Sequence, residues 1–183
     1  MIILVTLHLL AWVALALAAY GAYHDVRHLR IENTISLTIT GLALAALLFQ
    51  AAANMLGLLH APVLGGWGAH LISGGAVFAI GYVLFAAKLW GGGDAKLAAS
   101  LALWLPVQAL PAFLMTMSLI GAVLALVTLL AKHKPQLIKP IADKYTDQQG
   151  WVAALANGEN ALPYGVAITA GACHAFLLMG YLA

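Results

Sequence analysis

Residues 33–87 read NTISLTITGLALAALLFQAAANMLGLLHAPVLGGWGAHLISGGAVFAIGYVLFAA, with no Lys, Arg, Asp or Glu from Asn33 to Ala87. A helix that crosses a bilayer needs roughly 20 predominantly apolar residues. The stretch is too long for one crossing and suits two. Asn54, His60, Pro62 and the Gly65-Gly66-Trp67-Gly68 cluster mark the break with turn and interface chemistry. The two spans are expected at about Thr34–Leu58 and Ala69–Ala87.

Working outward, the N-terminal side offers a first span from about Ile2 to Tyr23, followed by a short polar segment, His24–Asn33. No Lys or Arg precedes the first apolar run, so it reads as a retained span rather than a signal peptide. On the C-terminal side, Lys88 and Trp90 occupy an interface-anchor position before Gly91-Gly92-Gly93-Asp94-Ala95-Lys96. Three consecutive glycines disfavour a helix interior, so irregular backbone is expected there, against protein or a wet cavity. The charge-free run Leu97–Ala131 is divided by Pro106 and Pro111 into a short fourth helix and a fifth ending near Leu130. A polar segment from Lys132 to about Leu162 precedes the last span, Pro163–Leu182.

The whole composition agrees. Of 183 residues, 64% are hydrophobic and 8% charged, against about 25% charged in an ordinary soluble domain. The expected fold is all-α: a polytopic transmembrane bundle of about six spans, a single domain over residues 1–183, solvated by the lipid bilayer. A formal net charge of +2, scattered along the chain, does not point to nucleic acid. The lone Cys173 excludes an internal disulfide and reads as a small buried apolar side chain.

Basic residues cluster at Arg27/Arg30, Lys88/Lys96 and Lys132–Lys144. With six spans all three clusters share one face, which the positive-inside rule assigns to the cytoplasm, leaving both termini outside. Five spans would put the last cluster on the wrong side. Asp25 then lies at the cytoplasmic end of span one and Asp94 at the cytoplasmic start of span four, at one depth.

Acidic residues beside apolar spans are functional candidates. Asp143, Asp147 and Glu159 fall in the long polar segment and read as solvated, and Glu32 falls in the first loop. Two close carboxylates share a proton, so that one acts as base and the other as acid. That pair hydrolyses a peptide through an activated water. Equally compatible with the spacing, Asp25 pairs with Arg27 or Arg30, and Asp94 caps the helix after it. His24-Asp25-Val26-Arg27-His28 also fits H-D-x-x-H, near the zinc motif H-E-x-x-H. The shorter acid, the missing third ligand and the neighbouring Arg27 weigh against a metal.

Three segments carry a family resemblance. Gly91-Gly92-Gly93-Asp94 matches the GxGD motif of membrane aspartyl proteases. Asp25-Val26-Arg27-His28-Leu29-Arg30-Ile31-Glu32-Asn33 resembles the first aspartate motif of type IV prepilin peptidases, an Asp followed by basic residues and Ile-Pro-Asn. Pro163-Tyr164-Gly165-Val166-Ala167-Ile168 resembles the run that opens that family's last helix. The resemblance implies catalytic Asp25 and Asp94 and no metal or organic cofactor. It implies cleavage of a leader at the cytoplasmic face of the bacterial inner membrane. The substrate partner would be a prepilin with a basic leader and an apolar helix. Glu32 departs from the family's Pro, which bears on substrate preference. The N-terminal methylating domain of larger members is not seen, so the chain is similar to the peptidases of Flp (Tad) pilus systems, with cleavage and no methylation expected.

Gly91, Gly93, Lys96, Asn33, Arg27 and Gly165 are candidate site-shaping residues. Several have a plainer role: Arg27 and Lys96, like Arg30 and Lys88, as snorkelling anchors, with Lys96, two residues past Asp94, the leading exception; Asn33 as the N-cap of span two; Gly165 as part of a helix start. Gly74-Gly75, Gly81, Gly121 and Gly171 read as close-packing positions, and His8, His70 and His174 as interfacial or hydrogen-bonded between helices. The rival functions are a non-enzymatic pilus-assembly component or small transporter, a presenilin-type protease with deeper aspartates, and an archaeal preflagellin peptidase. Oligomeric state is not readable.

Overall fold

Many small side chains face inward in this chain and many large apolar ones face outward, while Trp104, Phe113 and Phe176 fill the core. The computed structural model describes residues 2–58, 64, 66–133 and 150–182. All regular structure among them is helical: α1 (Ile2–His28), α2 (Asn33–Met55), α3 (Trp67–Ala86), α4 (Gly92–Ala102), a 3-10 turn (Val107–Ala109), α5 (Leu110–His133), α6 (Gly150–Ala156) and α7 (Tyr164–Leu178). α1 buries Ala11, Ala14, Ala18, Gly21, Ala22 and Asp25, a stripe stepping by three and four residues along one face. Leu9, Leu48, Phe78, Val83, Leu119 and Leu126 stand on the outside. So much exposed apolar surface is unfavourable in water and suits hydrocarbon. The chain is a helical membrane protein.

α4 forms the centre. Ala95 and every residue from Leu97 to Ala102 are buried, with α2, α3 and α7 packed around it. Close approach depends on small residues, as is usual between membrane helices. A Cβ on Gly74 would meet Leu103 at 2.9 Å, one on Gly81 would meet Ala95 at 3.0 Å, and one on Gly171 would meet the Phe113 carbonyl oxygen at 2.7 Å. Polar links cross the packed faces: Trp104 Nε1 donates to the Ile39 carbonyl, Thr169 Oγ1 donates to the Ala18 carbonyl, and Thr116 pairs with His174. His70 engages the carbonyls of Leu64 and Leu103. The bonded roles expected of His70 and His174 are therefore present.

These contacts fix helix directions. Gly165 lies beside Asp25 and Ala22 while Thr169 reaches Ala18, so α7 runs antiparallel to α1. Gly81 faces Ala95 and Gly74 faces Leu103, so α3 and α4 are antiparallel. Lys96 bonds Asn33 while Trp104 bonds Ile39, so α2 and α4 are parallel. The end of α1 and the starts of α2, α4 and α7 thus gather at one end of the bundle.

Among the described residues, four segments are long and apolar enough to cross a membrane: α1, α2, α3 and the 3-10 turn with α5. α4 rises only about 16 Å and α7 about 22 Å, against roughly 30 Å of hydrocarbon. Six spans therefore require two helices too short to cross unaided.

Several expected boundaries shift. α1 continues to His28 rather than ending near Tyr23, so Asp25 is a helix residue and not part of a polar loop. The reason is the buried stripe, whose period carries Asp25 inward one turn after Gly21. The glycine triplet is not irregular: Gly91 is the N-cap of α4, and Gly92 and Gly93 are its first residues, where Gly is well tolerated. Asp94 is therefore a first-turn residue rather than the cap. Asn33 is likewise not the N-cap of α2; that place falls to Glu32, which makes no capping bond. Trp90 is half-buried against Tyr164 rather than an open anchor, and Cys173 is only half-buried. Gly75 meets nothing within 4 Å. His60, Pro62, Gly65, Lys134, Lys139, Asp143, Lys144 and Asp147 lie outside the described residues.

Candidate active site

Asp25 arrives at the gathered end as the last residue of α1's buried stripe, at 4% exposure. Its Oδ2 accepts the backbone N–H of Gly165 at 2.9 Å. The fit is close, since a Cβ on Gly165 would lie 3.1 Å from Asp25 Oδ2 and 3.3 Å from Ala22 Cα, and the carboxyl would have to give by a few tenths of an ångström. Gly165 thus serves both readings, as a helix-start residue and as a direct partner of the acid.

Asp94 arrives on the first turn of α4, outside the four long spans. Its carboxyl folds back on the Gly91 backbone N–H, much as the third helical residue of a capping box reaches the N-cap. The glycines make this turn possible. A Cβ on Gly91 would stand 2.6 Å from Asp94 Oδ2, and one on Gly93 would stand 3.2 Å from Ile31 Cβ. Gly91 leaves room for the carboxyl, and Gly93 lets α4 press against the link between α1 and α2.

Both acids line one cavity of about 1020 Å³, together with His24, Arg30, Asn33, Gly91, Gly93 and Lys96. Burial raises the Asp94 carboxyl from its ordinary 3.8 to about 7, the charge of Asp25 adds to the rise, and the Gly91 N–H opposes it. The rise that the Asp25 charge adds is what two acids lining one cavity produce, although they stand 69 positions apart in sequence. Asp94 therefore keeps its proton to higher pH than an ordinary carboxylate, as a general acid requires.

Among the other candidates, Lys96 Nζ donates to Asn33 Oδ1 at 2.9 Å, tying α4 to α2 at the cavity wall. Arg27 is not in that wall. Its guanidinium lies over the Tyr23 ring, 5.2 Å from the centroid. Among the described residues the only contact at ion-pair distance joins His24 Nε2 to Glu32 Oε1 at 3.7 Å, a charged pair only when His24 is protonated, and Asp25 has none with Arg27 or Arg30. His24 and His28 stack with ring centroids 4.1 Å apart. Their Nδ1 atoms face the carbonyls of Arg30 and His24 respectively. Among the described residues no group of three His, Cys, Asp or Glu side chains converges as a metal set. His24, Leu29, Ile31 and Leu162 line the cavity without having been singled out for it. Leu29 holds a left-handed backbone, φ 52°, just past α1.

Two acids sharing a cavity at the helix ends of an all-helical membrane protein supply the acid and base that peptide hydrolysis needs. A sequence profile of the type IV leader peptidase family matches residues 12–126, well over half of the chain. The chain belongs to that family and is a peptidase of the prepilin-processing kind. No curated protein and no solved structure matches it.

Proposed function

We propose that the chain is a membrane aspartyl endopeptidase that removes the leader of type IV prepilins of the Flp type, with Asp25 and Asp94 as its catalytic pair. The observation that carries this reading is the single cavity lined by both carboxylates, with Asp94 raised partly by Asp25. Residues 1–183 act as one peptidase unit in the bacterial inner membrane. Six passes place both termini outside and the cavity at the cytoplasmic face, with α7, and α4 beyond its first turn, as short, protein-buried crossings. The alternating helix directions and the basic residues at the cavity end, Arg27, Arg30, Lys88, Lys96 and Lys132, support this orientation.

Asp25 acts as base. Gly165 holds its Oδ2, and Asp25 takes a proton from water as the water oxygen attacks the scissile carbonyl carbon. Asp94 gives its proton to the carbonyl oxygen, forming a neutral tetrahedral diol. Asp25 then passes its proton to the amide nitrogen. The C–N bond breaks as Asp94 recovers a proton from a diol hydroxyl. The proposal needs no metal or organic cofactor, and it covers hydrolysis without methyl transfer. Arg30 and Lys96 line the cavity, and the substrate is a prepilin with a basic leader and an apolar helix.

Co-expression with a prepilin of that kind tests the reading. The parent protein shortens the precursor, and Asp25→Asn and Asp94→Asn each reduce cleavage by at least about 10³-fold. Full processing by either variant rejects the mechanism and favours a non-enzymatic assembly role.

A further inference from the structure

α2 and α3 both pack on α4 but scarcely on each other. The gap is a groove of about 530 Å³ with α4 as its floor. α2 contributes Ser36 and Thr40, α3 Gly75 and Phe78, and α4 Ala99 and Ser100. Its rims face the lipid side: Leu37 is 69% and Phe78 52% exposed. A Cβ on Gly75 would meet nothing within 4 Å, so at Gly75 the α3 wall is bare backbone over open space. From Lys96 to Leu103 the floor extends about two helical turns, roughly 10 Å.

Two observations say what fills it. Asn33 and Lys96 line both this groove and the carboxylate cavity, so the two adjoin at the Lys96–Asn33 bond. Ser36, only 5% exposed, lines the groove with an Oγ that has no hydrogen-bond partner among the described residues. A buried unpaired hydroxyl is unfavourable until a partner arrives. In a membrane, hydroxyls and small residues are what a helix packs against. A second gap, between α3 and α5 and bounded by Trp90 and Tyr164, is half the size at about 260 Å³ and shares no residue with the carboxylate cavity.

We propose that the groove between α2 and α3 seats the first two apolar turns of the substrate helix, entering sideways from the bilayer so that the peptide bond before them lies between Asp25 and Asp94. This rests on the peptidase reading. The Lys96–Asn33 bond marks the passage from groove to cavity. Ser36 Oγ, closed off while the groove is empty, turns to donate to a carbonyl on the guest helix, and the absent side chain of Gly75 lets that helix approach the floor.

The test traps substrate on an uncleaving enzyme. In an Asp25→Asn, Cys173→Ser background, single cysteines are placed by Gly75→Cys or Phe78→Cys in the groove, Leu84→Cys or Leu114→Cys in the second gap, and Leu119→Cys or Leu126→Cys on the outer face. Each is oxidised in membranes with a prepilin bearing one cysteine in its first two apolar turns. The groove positions are expected to cross-link at least tenfold more than the outer ones. Strongest linkage in the second gap, or uniform linkage, overturns the proposal. In a separate arm, Gly75→Leu lowers at least tenfold the ratio of precursor cleavage to cleavage of a short soluble peptide spanning only the junction. An unchanged ratio overturns the groove. If the parent protein cuts the precursor while linkage maps elsewhere, the groove alone falls. If the parent does not cut it, the peptidase reading falls and takes this occupant with it.

Discussion

Gly91→Ala separates the position of Asp94 from the stability of the fold. The added methyl would stand 2.6 Å from Asp94 Oδ2, where ordinary contact begins near 3.4 Å. The carboxyl must therefore retreat by about 0.8 Å. It is the far end of a side chain beside a cavity, so it can move without disturbing α4. Gly91 has φ −72° and ψ 141°, a backbone that Ala adopts freely, and Ala at an N-cap in place of Gly costs about 1 kcal/mol or less. A misplacement approaching 1 Å costs up to about 10²-fold in rate. Purified Gly91→Ala, assayed on a prepilin in detergent, should lose about 30- to 100-fold in kcat with KM nearly unchanged. Its thermal midpoint, followed by tryptophan fluorescence, should stay close to the parent's. Gly41→Ala is the control, because a Cβ there meets nothing within 4 Å. Parental kcat in Gly91→Ala would show that the Asp94 carboxyl does not work from the position it occupies here. Loss of folded protein would show that the glycine serves the helix and not the acid.

Further outcomes follow from the same geometry. Asp94 is raised from 3.8 to about 7, so its ionisation opposes folding: the penalty is absent below about pH 3.8, grows through that interval and is complete above 7. The full shift corresponds to about 4 kcal/mol, and partial exposure reduces this to roughly 2; Asp94→Asn should thus raise the thermal midpoint at pH 8 and leave it unchanged at pH 3. Cleavage by the parent should fall as pH rises through about 7 and the Asp94 proton is lost, and a flat profile to pH 9 would contradict Asp94 as the acid. Gly171→Val should destabilise the α5–α7 pair by about 2–3 kcal/mol, because the Phe113 backbone oxygen 2.7 Å from the new Cβ cannot step aside. Its thermal midpoint against that of Gly41→Val reads the effect.

Much of the architecture was legible as unbroken apolar runs, since only helices satisfy their own backbone in lipid. The meeting of Asp25 and Asp94 at one end was legible as charge asymmetry. The continuation of α1 through Asp25 was obscured by the polar residues His24, Arg27 and His28, although the three-and-four spacing of Ala11, Ala14, Ala18 and Gly21 reaches Asp25 in phase. The glycine triplet misled for a related reason: Gly weakens a helix interior but not its first turn. What local pattern could not show are the long-range partners. The Gly165 N–H on Asp25 comes from 140 positions away, and the Lys96 ammonium that holds Asn33 comes from 63 positions away. Arg27, chosen for its nearness in sequence to Asp25, points instead to Tyr23 because the helix turns it away.

The electrostatic tie between the two acids is open to direct observation. The chain has four aspartates, so 13C labelling of aspartate carboxyls gives a spectrum sparse enough to follow Asp94 through a pH titration. In the parent protein Asp94 should titrate near 7, and in Asp25→Asn, with that neighbouring charge removed, its midpoint should move to lower pH. An Asp94 midpoint near 4 in the parent, or one that Asp25→Asn leaves unmoved, would mean that the two carboxylates do not form one site.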